Sequence, residues 1–232
     1  MLQWNDFEVL TFDCYGTLID WETGILDTLR PIFAAHQAGL IPDKILELYG
    51  ELESAAERGE YREYKTVLRS VLNGLGARFG FVPTAEELQQ FSISVKDWPA
   101  FPDSAPALQA LHRKYRLAII SNIDDDLFAF SGERLRVKFD WIITAQQAKS
   151  YKPSLNNFRL AFERIGVPQK RILHVAQSLF HDIAPANVLG LSTAWVNRRH
   201  YKEGSGATPV AQAHPDLEVQ DLRTLAAKIG LM

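Results

Sequence analysis

The sequence predicts an α/β protein, a parallel sheet covered by helices on both faces, with a helical insertion after its first strand. Three observations predict it. Apolar runs of strand length recur without clean polar alternation, as strands buried on both faces require. From about residue 100 onward these runs alternate with helix-like stretches, the pattern of strand and crossover helix. The long stretch 21–98, between the first run and the next, reads as almost wholly helical.

The elements follow in chain order. The first strand covers Val9–Phe12 and ends at Asp13, just before Cys14-Tyr15-Gly16-Thr17-Leu18. Within the insertion, Pro42-Asp43 opens a helix through Leu46, Leu48 and Leu52 with Asp43 as its N-cap, and Thr84 with Glu87 has the form of a capping box. Trp98-Pro99-Ala100-Phe101-Pro102 is the return linker, stiffened by its prolines. Further strands are expected at 117–120, Trp141–Thr144, Ile172–Ala176 and 193–196, and helices at 125–137, 154–165 and 181–189. The expected division is a core of residues 1–20 and 99–232 and a helical cap of residues 21–98. Gly204-Ser205-Gly206 reads as a solvent-exposed loop.

Composition narrows the function. At 232 residues, with 47% hydrophobic and 23% charged residues, the chain has enough apolar side chains for one large core plus an inserted subdomain. A net charge of −3, with no cluster of Lys and Arg among aromatics, leaves no field for nucleic acid. No apolar stretch approaches the roughly 20 residues of a membrane helix. Because Met1-Leu2-Gln3-Trp4-Asn5-Asp6 lacks the basic region and apolar core of a signal peptide, the expected compartment is the cytoplasm. The single cysteine, Cys14, excludes an internal disulfide and reads as core packing.

Four chemistry-bearing elements fall at the carboxyl ends of four expected strands, the edge at which open α/β sheets bind ligands. They are Asp13 with Thr17, then Ser121-Asn122, then Tyr151-Lys152-Pro153, and finally Gln177-Ser178 with Asp182. Three other patterns are set aside on position. Gly74-Leu75-Gly76-Ala77-Arg78-Phe79-Gly80 nearly spells a dinucleotide fingerprint but follows a helix, so it reads as a helix end. Asp124-Asp125-Asp126 reads as capping and dipole complementarity at a helix start. His181 beside Asp182 lacks the Gly-x-Ser-x-Gly elbow of a triad.

Taken together, Phe12-Asp13-Cys14-Tyr15-Gly16-Thr17-Leu18, Ile120-Ser121-Asn122, Tyr151-Lys152-Pro153 and Ser178-Leu179-Phe180-His181-Asp182-Ile183 resemble the four motifs of the haloacid dehalogenase superfamily. The resemblance covers nearly the whole chain. It implies a Rossmann-like core of strand order 5-4-1-2-3 with a helical cap inserted after the first strand. It also implies that Asp13 is a covalent nucleophile, with Lys152 holding it ionised, Ser121 and Thr17 orienting oxygens, and Asp182 positioning or activating the water that opens the intermediate.

Two departures from the superfamily's phosphatases bear on the electrophile. Where they usually carry an acid two positions after the nucleophile, this chain has Tyr15, poorly matched to protonating a leaving alcohol near pH 7. Where they carry the Asp that ligates Mg²⁺, it has Gln177 after Ala176, and hard divalent cations favour carboxylate oxygen. Both changes resemble the metal-free, type II L-2-haloacid dehalogenases, in which the aspartate displaces halide from carbon. That branch implies a small-molecule substrate held by Tyr15, Asn122 and Ser178, no metal and no cofactor, with homodimers common. Mg²⁺ enters only under the alternative of a small-molecule phosphatase. A non-catalytic binding protein is a further alternative, opposed by the intact set Asp13, Ser121, Lys152 and Asp182. The branch's cap arginine, which helps hold halide or carboxylate, aligns near Tyr49-Gly50-Glu51, with Glu47, Glu53 and Glu57 close by. An acidic helix is a poor cradle for an anion, and Arg58, Arg62 and Lys65 are the cations near enough in sequence to substitute.

Overall fold

In a computed structural model describing residues 2–202 and 204–232, six parallel strands form one sheet in the order β3-β2-β1-β4-β5-β6. These are β1 (Val9–Phe12), β2 (Arg116–Ser121), β3 (Trp141–Thr144), β4 (Ile172–Ala176), β5 (Ser192–Val196) and β6 (Leu217–Val219). The first five stand in the expected order, and β6 adds an edge that the sequence reading omitted. Phe12 pairs with Ile119 of β2 on one side and Val175 of β4 on the other. The chain leaves β1 for β2 and β3, then returns to β4, so the strand order reverses at β1. The crevice beyond its carboxyl end is therefore a topological switch point.

Burial on both faces explains the unbroken apolar runs. Val9, Ile120 and Ile172 point into one core layer with Phe158 and Ala161 of helix α8 (Leu155–Ile165). Leu10, Phe12, Ile119 and Val175 point into the other, with Leu108 of α5 (Ser104–His112) and Leu225 of α10 (Leu222–Ile229). Each such aliphatic side chain contributes roughly 1.5–3 kcal/mol by leaving water. Cys14 is fully buried with them.

Residues 21–93 supply α1 (Trp21–Ala35), α2 (Pro42–Ala56), α3 (Tyr64–Phe79) and α4 (Ala85–Ile93). The Thr84 capping box forms: its Oγ1 accepts from Glu87 N at 3.2 Å, and Glu87 Oε2 accepts from Thr84 N at 2.7 Å. Gly80 closes α3 at φ +77°, the expected helix end. Entry and exit of the insertion run side by side, with Asp20 N donating to Pro99 O at 2.8 Å and Phe101 N to Leu18 O at 3.0 Å. Trp98 packs on Gly24 of α1, where a Cβ would sit 2.3 Å from its ring.

Three local expectations are corrected. Asp43 is not the N-cap of α2. Ile41 holds that position, and Pro42 occupies the first turn without needing an N–H partner. The Asp124-Asp125-Asp126 run begins α6 (Asp125–Leu135), but Asp124 makes no side-chain cap there. Its carboxylate instead accepts from Tyr64 N at 2.9 Å and Lys65 N at 3.1 Å, capping α3 across the structure. The helix expected at 181–189 divides into a π-helical turn (Leu179–Ile183) and α9 (Ala184–Val188), with Pro185 in its first turn. Among the described residues, no helix is long and apolar enough to cross a membrane.

Candidate active site

Asp13 follows the last residue of β1 and is 6% exposed. Its Oδ1 accepts from Lys152 Nζ at 2.8 Å and its Oδ2 from Thr17 Oγ1 at 2.6 Å. Thr17 has one hydroxyl hydrogen, given to Asp13, and its oxygen accepts from Gln177 N at 2.8 Å. Lys152 Nζ also donates to Ile120 O at 2.8 Å and to Asp182 Oδ1 at 2.6 Å. Two carboxylates thus share one buried ammonium.

The two respond in opposite directions. Burial raises the Asp13 carboxyl above its ordinary value despite Lys152, and the charge of Asp182 adds to the rise. Burial also acts to raise Asp182, but Lys152 and His174 outweigh it and hold that carboxyl below its ordinary value. His174 was not singled out from sequence. Its Nε2 lies 3.0 Å from Asp182 Oδ1 and its Nδ1 2.9 Å from Thr11 Oγ1, so it ties the π-helical turn to β4 and β1. The available signal was a lone histidine in an otherwise apolar strand, Ile172-Leu173-His174-Val175-Ala176.

Asp13, Tyr15, Ser121, Asn122, Lys152, Gln177, Ser178 and Asp182 line one cavity of about 30 Å³. The structure therefore gathers the sequence-predicted residues at one place, with Thr17 immediately behind Asp13. Asn122 acts as a brace: its Oδ1 accepts from Lys152 N at 2.7 Å and its Nδ2 donates to Lys152 O at 3.1 Å. Ser178 Oγ caps the π-helical turn, accepting from His181 N at 2.8 Å. Tyr15 turns its hydroxyl away from Asp13 to Ser131 of α6, 2.9 Å distant, and burial drives that hydroxyl's pKa well above the usual tyrosine range. Three residues that line the cavity each carry a buried polar atom with no hydrogen-bond partner among the described residues: Ser121 Oγ, Asp182 Oδ2 and His181 Nε2. Burial pushes His181 down to about 4, leaving it neutral at pH 7.

The far wall comes from Trp21 of α1, Glu53 of α2, Glu57 just beyond it, Tyr64 of α3 and Thr208 from the loop between β5 and β6. Of the segment expected to be a solvent-exposed loop, Gly204 is exposed and Ser205 half-buried, but at Gly206 the chain turns inward. Gly206, Ala207 and Thr208 are buried, and Thr208 Oγ1 reaches Gln177 Oε1 at 3.2 Å. Ala207 O passes so near Gly50 that a Cβ there would lie 2.5 Å from it. The candidate cations do not line this cavity. Lys65 pairs with Asp126 at 2.8 Å, Arg62 bonds Ala56 O, and Arg58 is exposed in an outer cleft of about 510 Å³.

A family profile described as haloacid dehalogenase-like hydrolase matches residues 7–190. The chain belongs to the haloacid dehalogenase-like hydrolases. Among relatives of known activity, it is 28% identical to an (S)-2-haloacid dehalogenase of Pseudomonas sp. strain YL, over 93% of this chain and 91% of that one. It is 25% identical to (S)-2-haloacid dehalogenase 1 of Pseudomonas sp. strain CBS-3, over 81% and 83% respectively. The solved L-2-haloacid dehalogenase of Xanthobacter autotrophicus has the same fold, with a TM-score of 0.80 at 23% identity, covering 97% of this chain and 99% of that one.

The phosphatases among haloacid dehalogenase-like hydrolases hold a divalent cation beside the nucleophile. The donor set of this chain does not fit one. Asp13 and Asp182, the carboxylates that would ligate it, are bridged by Lys152, and the amide of Gln177 stands where a third carboxylate would serve. Among the described residues, no three His, Cys, Asp or Glu side chains are disposed to hold a metal.

Proposed function

We propose that this hydrolase displaces halide from carbon, with a 2-haloacid or a close relative of one as substrate and Asp13 as the covalent nucleophile. The observation that carries this reading is Asp13 gripped by Lys152 and Thr17 while residue 15 supplies no acid. A departing halide needs no proton, whereas an alkoxide does. The names of the relatives support the same reading.

An Asp13 oxygen attacks the carbon opposite its halogen, the bonding pair leaves with halide, and an aspartyl ester forms with inversion at carbon. Water then adds to the Asp13 carboxyl carbon. Whichever oxygen carries the alkyl group, the other retains a donor, Lys152 Nζ or Thr17 Oγ1, to stabilise the oxyanion. Asp182, which lines the cavity and has an unpartnered Oδ2, positions that water. Collapse returns the Asp13 carboxylate, releases the hydroxylated product and leaves one proton for solvent. The neighbouring residues 21–98 act as a cap over the core of residues 1–20 and 99–232. A cavity of about 30 Å³ holds little more than a water molecule, so substrate enters when the cap lifts.

Halide release from a panel including 2-chloropropionate is expected to fall by roughly 10⁴-fold or more in Asp13→Asn. Turnover in heavy-oxygen water should label the Asp13 carboxylate, read by peptide mass spectrometry. Unlabelled Asp13 during sustained halide release would show direct attack by water. Mg²⁺-dependent phosphate release from an aryl phosphate, without halide release, would move the assignment to phosphorus.

A further inference from the structure

Resting on the reading of Asp13 as a nucleophile toward carbon, we propose that the group beside the reacting carbon is an uncharged or cationic hydrogen-bond donor, such as a carboxamide, instead of a carboxylate. Four carboxyl groups line the cavity, those of Asp13, Asp182, Glu53 and Glu57. Among the described lining residues, Lys152 alone carries a formal positive charge, and its ammonium is taken up by Asp13, Asp182 and Ile120 O. An entering carboxylate would meet the net negative charge of Asp13 and Asp182 around Lys152, joined by Glu53 and Glu57 as pH rises, in a nearly dry space with no cation left to receive it.

The lining instead holds one carboxylate oxygen without a donor, Asp182 Oδ2. The unpartnered Ser121 Oγ, on a residue with no exposed surface, can give or accept, and His181 Nε2 is likewise unpartnered. The N–H and C=O of one carboxamide would satisfy this mixed set together. Glu53 is 3% exposed, and its Oε1 accepts from Tyr49 Oη at 3.1 Å and from Tyr64 Oη. Burial nevertheless pushes its carboxyl up to about 7, so its ionised form lacks a counterpart that an N–H group would supply. Burial and the charge of Glu53 raise Glu57 as well. Glu57 and Lys152 line both the inner cavity and the outer cleft, so a ligand passing between them meets this carboxyl. At Gly50, Ala207 O fills the space into which a longer side chain would extend. The loop that closes the cavity thus also excludes a cation from that point of α2.

Chloroacetate and chloroacetamide have the same size and differ in charge, so their kcat/KM ratio reads the proposal directly. At about pH 9, where both carboxyls are more fully ionised than at neutral pH, the amide should be favoured by ~100-fold, and Glu53→Gln or Glu57→Gln should narrow that ratio about tenfold. Halide release beyond one equivalent per protein separates turnover from alkylation of the single cysteine. Equal turnover, preference for chloroacetate, or a ratio unmoved in both variants would overturn the proposal. If neither compound releases halide, the carbon nucleophile reading fails. The charge preference is then read separately by titrating wild-type protein with acetamide and acetate, following intrinsic tryptophan fluorescence, to which Trp21 in the cavity wall contributes, with Trp21→Phe as the control that assigns the signal to this cavity. Saturation by acetamide alone supports the inference. Saturation by acetate, or by neither, overturns it.

Discussion

Lys152 has three N–H bonds to give, and each is given: to Asp13, Asp182 and the carbonyl of Ile120. Lys152→Met removes the countercharge shared by two buried carboxylates, which costs about 3–5 kcal/mol in a urea unfolding experiment. The cost should shrink as pH falls, because one carboxyl then takes a proton and the repulsion ends. A loss independent of pH would show that Lys152 stabilises by packing alone. The opposite shifts of the two aspartates also set the acid limb of activity. Asp13 binds a proton more readily than a free aspartate and Asp182 less readily, so the first proton taken up goes to Asp13 and removes the proposed nucleophile. The kcat/KM profile should therefore fall on the acid side with a midpoint above 3.8, the ordinary Asp value. A midpoint at or below it would contradict this order of protonation. Asp13, Ser121, Lys152 and Asp182 were legible because each ends a strand or follows one closely. His174 was not, because its role exists only through pairing across β1 and β4 and contact with the π-helical turn.

At the scale of elements, strands were read more accurately than helix ends. Their apolar runs report burial on two faces directly, whereas a cap is defined by whichever polar group reaches the free N–H bonds. Asp124 shows the difference. Its place in an acidic run argues for α6, yet its side chain meets the first turn of α3, whose own N-cap, Glu63, makes no side-chain bond. Asp124→Ala is expected to destabilise the protein by ~1–2 kcal/mol, with an unchanged dependence on urea concentration. Asp124→Asn keeps an acceptor and should recover much of that loss. If the two variants were equally unstable, the charge and not the hydrogen bond would be the stabilising component. The omitted β6 has only three residues, Leu217–Val219, too few for a pattern to register.

The whole molecule places its chemistry where the sheet changes direction and then covers that place from two sides. Residues 21–98 supply Trp21, Glu53, Glu57 and Tyr64, while the loop after β5 supplies Thr208 and presses Ala207 onto Gly50. The sequence by itself determined the parallel sheet, its first five strands and the gathering of four motifs at one edge. Those features follow from local apolar runs and from the geometry of strand and crossover helix, which needs no knowledge of distant packing. Only the tertiary structure decided what faces Asp13. The charge of the cavity depends on which side chains of a helical insertion and a distant loop come to rest against the sheet. Its closure depends on how tightly their backbones meet, at Gly50 and Ala207 above all.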